Sequence, residues 1–116
     1  MLGDMLELGD ISESVHREIG FKVAESSIDY LITVGSESKL TASSAIEAGM
    51  NTNVVHDFSQ AEKAGKFLQD IMQEGDLILI KGSQGIRMEK IVKEVMAEPQ
   101  KAKKLLVRQK GEWQNK

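Results

Sequence analysis

Cysteine is absent from this chain, which excludes disulfides and thiolate metal sites and fits a reducing compartment. No apolar run approaches the roughly 20 residues of a membrane span. The opening Met1-Leu2-Gly3-Asp4 has neither a basic n-region nor an apolar h-region, so no export signal is read and a soluble, cytoplasmic protein is expected. Excess positive charge is also missing. The formal net charge is −3 and the pI near 5.4, so nothing global attracts nucleic acid or an acidic membrane surface. Neither the Gly-x-Gly-x-x-Gly dinucleotide fingerprint nor the Gly-x-x-x-x-Gly-Lys-[Ser/Thr] phosphate loop occurs. No Gly-x-Ser-x-Gly elbow is present either, and Ser83 has no visible histidine–acid relay, which disfavours a serine hydrolase. His16 and His56 are the only histidines. They are far apart and lack a carboxylate ligand pattern, so packing roles are expected and no metal site.

What remains is an alternation of apolar runs, bounded by turn residues, with segments of helical period. That pattern predicts an α/β domain with a mostly parallel, Rossmann-like sheet and helices on both faces. At 116 residues one domain is expected, burying roughly two thirds of its unfolded surface. Met1-Leu2 reads as a strand end with Gly3-Asp4 as its exit turn. Asp10-Ile11-Ser12-Glu13 has capping-box spacing, and Ile11, Val15, Ile19 and Val23 then recur every four residues, which predicts a helix over residues 11–25. Further strands are predicted over 30–34, 53–56 and 77–80, and a weaker helix over 38–48. Ser59-Gln60-Ala61-Glu62 is a second capping box ahead of the stripe Ala64, Leu68, Ile71 and Met72, with Gly75 in the place of a helix-ending glycine. A last helix carries Met88, Ile91, Val92, Val95 and Met96 and must stop before Pro99. Residues 104–108 read as an edge strand and 111–116 as a polar tail. The six methionines read mostly as core filling. Lys101, Lys103, Lys104, Arg108 and Lys110 read as a solvated basic face.

The most informative stretch is Lys81-Gly82-Ser83-Gln84-Gly85-Ile86-Arg87-Met88-Glu89, which follows the apolar Leu77-Ile78-Leu79-Ile80. A strand that runs through a Gly/Ser turn into a helix places free backbone N–H groups and a positive dipole end at the carboxyl edge of a parallel sheet. Lys81 would add a point charge, Ser83 a hydroxyl and Arg87 a forked donor, a set suited to a carboxylate or phosphate. An ordinary strand-to-helix turn with solvated cations fits the same spacing. A cation at a helix N-terminus is unfavourable unless an anion shares the site, and Glu89 is one available anion. A second constellation, Gly3-Asp4-Met5-Leu6-Glu7-Leu8-Gly9, leaves another strand end. Its carboxylates could face the Lys81 edge and bind an ammonium, an amide or a sugar hydroxyl. On physics alone, a polar loop with Leu6 and Leu8 tucked against the core is the stronger reading.

Taken together and in order, Leu2-Gly3-Asp4-Met5-Leu6-Glu7-Leu8-Gly9, His16-Arg17-Glu18-Ile19-Gly20, Gly75-Asp76, Lys81-Gly82-Ser83 and Arg87-Met88-Glu89 resemble the C-terminal domain of the Mur ligases. The resemblance spans residues 2–95. It implies part of an ATP- and Mg²⁺-dependent, amide-forming ligase of peptidoglycan precursor synthesis. In that scheme ATP phosphorylates the terminal carboxylate of UDP-N-acetylmuramoyl-tripeptide, and the amine of D-alanyl-D-alanine attacks the acyl phosphate to give amide and phosphate. The C-terminal domain supplies the incoming dipeptide. Carried over by position, Lys81 and Ser83 sit near the dipeptide carboxylate with Gly82 between them, Gly3, Asp4 and Met5 line the opposite wall, and Arg87 is a further candidate. No catalytic residue is assigned.

The chain departs from the family pattern at Gln84, where arginine is usual, and so lacks one cation of the anion field. The phosphate loop, the magnesium ligands and the Asp-x-Tyr-Asn-Ala-Asn-Pro segment are missing from the sequence. An N-terminally truncated single domain is therefore expected, without its first strand–helix unit or the UDP-sugar and ATP-binding domains, and inactive alone. Two other readings stand beside this one: a free-standing small-anion binding module, and an interaction protein whose open sheet edge is a template for dimerisation.

Overall fold

The structure, a computed structural model, describes residues 1–101 and 106. Strands β1 (Leu2–Gly3), β2 (Leu31–Val34) and β3 (Val55–Phe58) alternate with helices α1 (Ser12–Glu25), α2 (Ser38–Glu47) and α3 (Ala61–Ile71), and α4 (Glu89–Val95) follows. The three strands are parallel in the order β1-β2-β3, with Leu2 opposite Thr33 and Leu31 opposite Val55. On the free side of β1 runs the segment 79–83. The Met1 amino group donates to the Leu79 carbonyl at 2.6 Å and Lys81 N–H to the Met1 carbonyl at 3.1 Å. Gly3 N–H then donates to the Lys81 carbonyl at 2.7 Å and Ser83 N–H to the Asp4 carbonyl at 2.9 Å. The spatial order is thus 79–83, β1, β2, β3. Chain direction across the sheet reverses at β1, the kind of position where open α/β sheets bind ligands.

All four residues of β2 are buried, as a strand covered on both faces requires. Ile32 and Val34 enter one core with Ala61, Ala64 and Leu68 of α3 and with Met88 and Ile91. Alternation sends Leu31 and Thr33 to the other face, where α1 and α2 lie packed together. Those two helices meet at Gly20. A side chain there would run into the Thr41 carbonyl and would lie 2.7 Å from Ser44 Cβ. Small residues on both partners, with Ala45 fully buried, let the backbones approach.

The α/β architecture matches expectation, and several local expectations do not. Residues 77–80 are not a buried strand: Leu77 is 100% exposed and Leu79 67%, because β1 offers partners only to residues 79–83. Neither capping box forms. Ile11 caps α1 without a side-chain hydrogen bond, after a 3-10 turn over Gly9–Ile11. Gln60 caps α3 likewise, and Glu62 reaches Lys90 at 2.8 Å instead. Ile11 is exposed, and the closest contacts of α1 run through His16 and Gly20 rather than the predicted stripe. The strand predicted over 53–56 begins two residues later, after a 3-10 turn over Thr52–Val54. Gly75 (φ +90°) lies in a turn beyond Met72, the C-cap of α3, and does not end the helix. The predicted strand 104–108 and tail 111–116 lie outside the described residues, apart from Leu106. So does the basic face beyond Lys101.

Candidate functional site

Two bends leave the carboxyl end of the sheet on either side of the reversal, and they touch. A Cβ built on Gly82 would lie 2.9 Å from Gly3 Cα and 2.9 Å from Met88 Cγ, so only glycine allows this approach. Ser83 fastens the two bends. Its N–H donates to the Asp4 carbonyl, and its Oγ accepts the Leu6 N–H at 2.8 Å. The Ser83 hydroxyl therefore keeps its own proton for a ligand. Lys81 is exposed at the same rim and makes no ion pair among the described residues.

Beside this junction, against α4, lies an open cleft of about 340 Å³. Lys81, Gly82, Ser83 and Gln84 form one wall, and Met88, Glu89 and Val92 the other. Gly3 and Met5 do not line the cleft, although Gly3 lies against Gly82 and Met88. Lys81, Gly82 and Ser83 thus share one wall of the cleft. Asp4 and Arg87 are employed differently.

Asp4 is 2% exposed, and its Oδ1 accepts both the Ser38 N–H and the Ser38 hydroxyl, each at 2.7 Å. A carboxylate at the first turn of α2 satisfies otherwise free donors and complements the helix dipole. Gly35, at φ +119°, leaves room for it: a side chain there would run into that carboxylate. Asp4 fixes the bend and does not line an anion pocket.

Arg87 is not in the first turn of a helix. Residues Gln84–Ile86 form a 3-10 turn, Arg87 adopts the left-handed conformation at φ +57°, and α4 begins only at Glu89. Its buried guanidinium pairs with Glu89. Ser83 therefore opens a 3-10 turn rather than an α-helix, with Ile86 N–H bonded to the Ser83 carbonyl and Arg87 N–H to the Gln84 carbonyl. Leu6, expected to tuck inward, is 41% exposed. Sequence reasoning gave no role to Ser38, and only a packing role to His16. His16 is 1% exposed, and its Nε2 accepts the Met5 N–H at 3.1 Å. The i, i+4 spacing of Ser12 and His16 was the available signal.

Comparison with known proteins now adds to this geometry. The family described as Mur ligase, glutamate ligase domain, matches residues 1–84. This chain belongs to the Mur ligase family. The Mur ligase relatives include the UDP-N-acetylmuramoyl-tripeptide–D-alanyl-D-alanine ligase of Bacillus subtilis, 34% identical over 85% of this chain and 21% of the relative. The enzyme of the same name from Synechocystis is 31% identical over 84% of this chain and 21% of its own length. That from Rickettsia prowazekii is 29% identical over 79% and 20%. The chain therefore spans about a fifth of the length of the curated Mur ligases it matches. No solved structure matches it.

Among the described residues of this Mur ligase domain, no three His, Asp or Glu side chains group so as to hold a metal ion. No described helix is long and apolar enough to cross a membrane.

Proposed function

We propose that residues 1–116 are a single C-terminal Mur ligase domain, the amine-substrate side of a cytoplasmic ligase that joins D-alanyl-D-alanine to UDP-N-acetylmuramoyl-tripeptide. One observation carries the reading. The bends at residues 3–5 and 81–83, distant in sequence, meet at the point where strand order reverses, with Lys81 and the Ser83 hydroxyl presented beside them. The dipeptide's carboxylate would be held by Lys81 Nζ and Ser83 Oγ–H, a charge-assisted pair at an open rim. Its amine would then point out of the domain, toward an acceptor held elsewhere in the protein. Fixing the amine in this way is a proximity effect.

ATP and Mg²⁺ would supply activation of the acceptor's carboxylate, and both are assigned to portions of the ligase outside this chain. The described residues offer neither a phosphate loop nor a metal-ligand group. This chain alone is expected to form no amide. Product formed by the purified chain with ATP, Mg²⁺ and both substrates would overturn that expectation.

The direct test is amide chemical-shift mapping with D-alanyl-D-alanine. Perturbations should cluster at residues 3–5 and 81–84, and Lys81→Met should weaken binding several-fold. Shifts scattered over the surface would remove the site. The exposure of Leu77 and Leu79 favours a second reading, self-association of this segment with a second copy of the chain. A solution mass that stays monomeric at millimolar concentration removes it.

A further inference from the structure

His16 is buried inside α1 and belongs to no site assigned above, yet its hydrogen bonds run in a single direction. The Glu37 carboxylate accepts the Ser12 hydroxyl proton at 3.0 Å, so Ser12 Oγ presents a lone pair to its other neighbour. That neighbour is His16 Nδ1, 3.2 Å from Ser12 Oγ and 2.8 Å from the Ser12 carbonyl. With two acceptors facing it, Nδ1 carries the ring proton. Nε2 is then the bare nitrogen and accepts the Met5 N–H at 3.1 Å. Thr41 of α2 donates its hydroxyl to the His16 carbonyl at 2.9 Å, which ties this turn of α1 to α2.

The consequence falls on three successive residues of the first bend. Asp4 is held through its side chain by Ser38 of α2, Met5 through its amide by His16 of α1, and Leu6 through its amide by Ser83. Removing the middle anchor leaves the outer two in place, so the fold should persist while the bend loses its set position. We infer that His16 is a positioning residue, whose unprotonated Nε2 holds the Met5 amide and thereby fixes the bend at residues 3–5 behind Lys81 and Ser83. This deepens the proposed function and rests on it for the identity of the ligand.

Two substitutions separate this role from simple filling of the core. His16→Gln can place an amide oxygen where Nε2 lies and keep an acceptor for Met5. His16→Asn can replace only Nδ1, leaving Met5 N–H without its partner. Met5 amide hydrogen exchange, thermal unfolding and D-alanyl-D-alanine titration are measured on the wild-type chain and both variants. His16→Asn should speed Met5 exchange about tenfold and weaken the dipeptide about tenfold, the scale of one lost hydrogen bond to a buried group. His16→Gln should recover both to within about threefold, although both variants melt lower than wild type. Equal exchange and equal affinity in the two variants overturn the inference and leave the ring a packing element. If the wild-type chain binds no dipeptide, the functional reading falls, and the exchange ratio alone then decides the positioning role.

Discussion

Replacing Gly82 with alanine tests whether the two bends need to touch. The added methyl would lie 2.9 Å from Gly3 Cα, 2.9 Å from Met88 Cγ and 3.2 Å from Gly3 N. Carbon atoms in favourable contact sit about 3.5–4.0 Å apart, so a gap of roughly 0.5–1 Å must open. Met88 can turn its side chain aside, but Gly3 cannot move freely. Its N–H is bonded to the Lys81 carbonyl, and Asp4 N–H is bonded to Val34 at 3.1 Å. The strain therefore falls on the hydrogen bonds that join residues 79–83 to β1. Overpacking of this kind costs about 1–3 kcal/mol. Gly82 does not have positive φ, so backbone conformation adds nothing to the penalty. For a domain of this size each kcal/mol lowers Tm by about 4 °C, which places Gly82→Ala roughly 4–12 °C below wild type. Gly85→Ala is the control. A methyl there would meet only Leu6 Cδ1, at 2.7 Å, the tip of an exposed side chain that can swing away. It should shift Tm by about 2 °C or less. Thermal unfolding followed by circular dichroism, with dipeptide titration alongside, reads both effects. Unchanged melting of Gly82→Ala, or an equal loss in Gly85→Ala, would refute the close junction of the bends.

Other outcomes follow from the same contacts. Asp4→Ala strips Ser38 of its acceptor and should cost about 2–3 kcal/mol in urea unfolding, whereas Asp4→Asn, which keeps one acceptor, should cost about half as much. Gln84→Arg adds a cation to the wall that holds Lys81 and should tighten D-alanyl-D-alanine several-fold at low salt, an advantage that fades as ionic strength rises. The Glu62 carboxyl is held below its ordinary value, chiefly by the hydrogen bond from Lys90. A lowered carboxyl contributes stability above the ordinary glutamate value and loses it as pH falls through the lowered one. The pair is largely exposed, so the contribution is about 0.5 kcal/mol or less. Lys90→Met should return the Glu62 titration, followed by NMR, toward that of an ordinary glutamate.

The sequence carried the layered α/β plan because periodicity reports burial directly. The run 31–34 is apolar enough to be covered on both sides, and it is. Local chemistry was less legible, because tertiary partners outbid sequence neighbours. Glu62 has capping-box spacing but bonds Lys90, which lies 28 residues away in sequence. Asp4 could serve a ligand from its place at a strand end, yet two donors of Ser38 bury it. Leu77 and Leu79 look like core because hydropathy cannot report whether a neighbouring strand exists, and none covers them among the described residues. In sequence, the cations at 81 and 87 both read as candidates for one anion site. The left-handed turn at Arg87 separates them, aiming one at Glu89 and leaving the other at the rim. Strand exits of a parallel sheet allow the two bends to face one edge, but no spacing rule connects residue 3 with residue 82, and the motif resemblance is what paired them.

That junction also sets an order of assembly. The Leu6–Ser83 bond closes a loop of 77 residues in sequence, and the bond between Met1 and Leu79 closes one of 78. Contacts of such long range form only after residues 79–83 have been made and the intervening units have collapsed. During synthesis the first bend is made well before residues 79–83 and waits, shaped on one side by α1 and α2, with its opposite wall not yet translated. The proposed binding surface, made from segments 77 residues apart, cannot work half-built, so the appearance of affinity would mark the docking of residues 79–83 against the first bend.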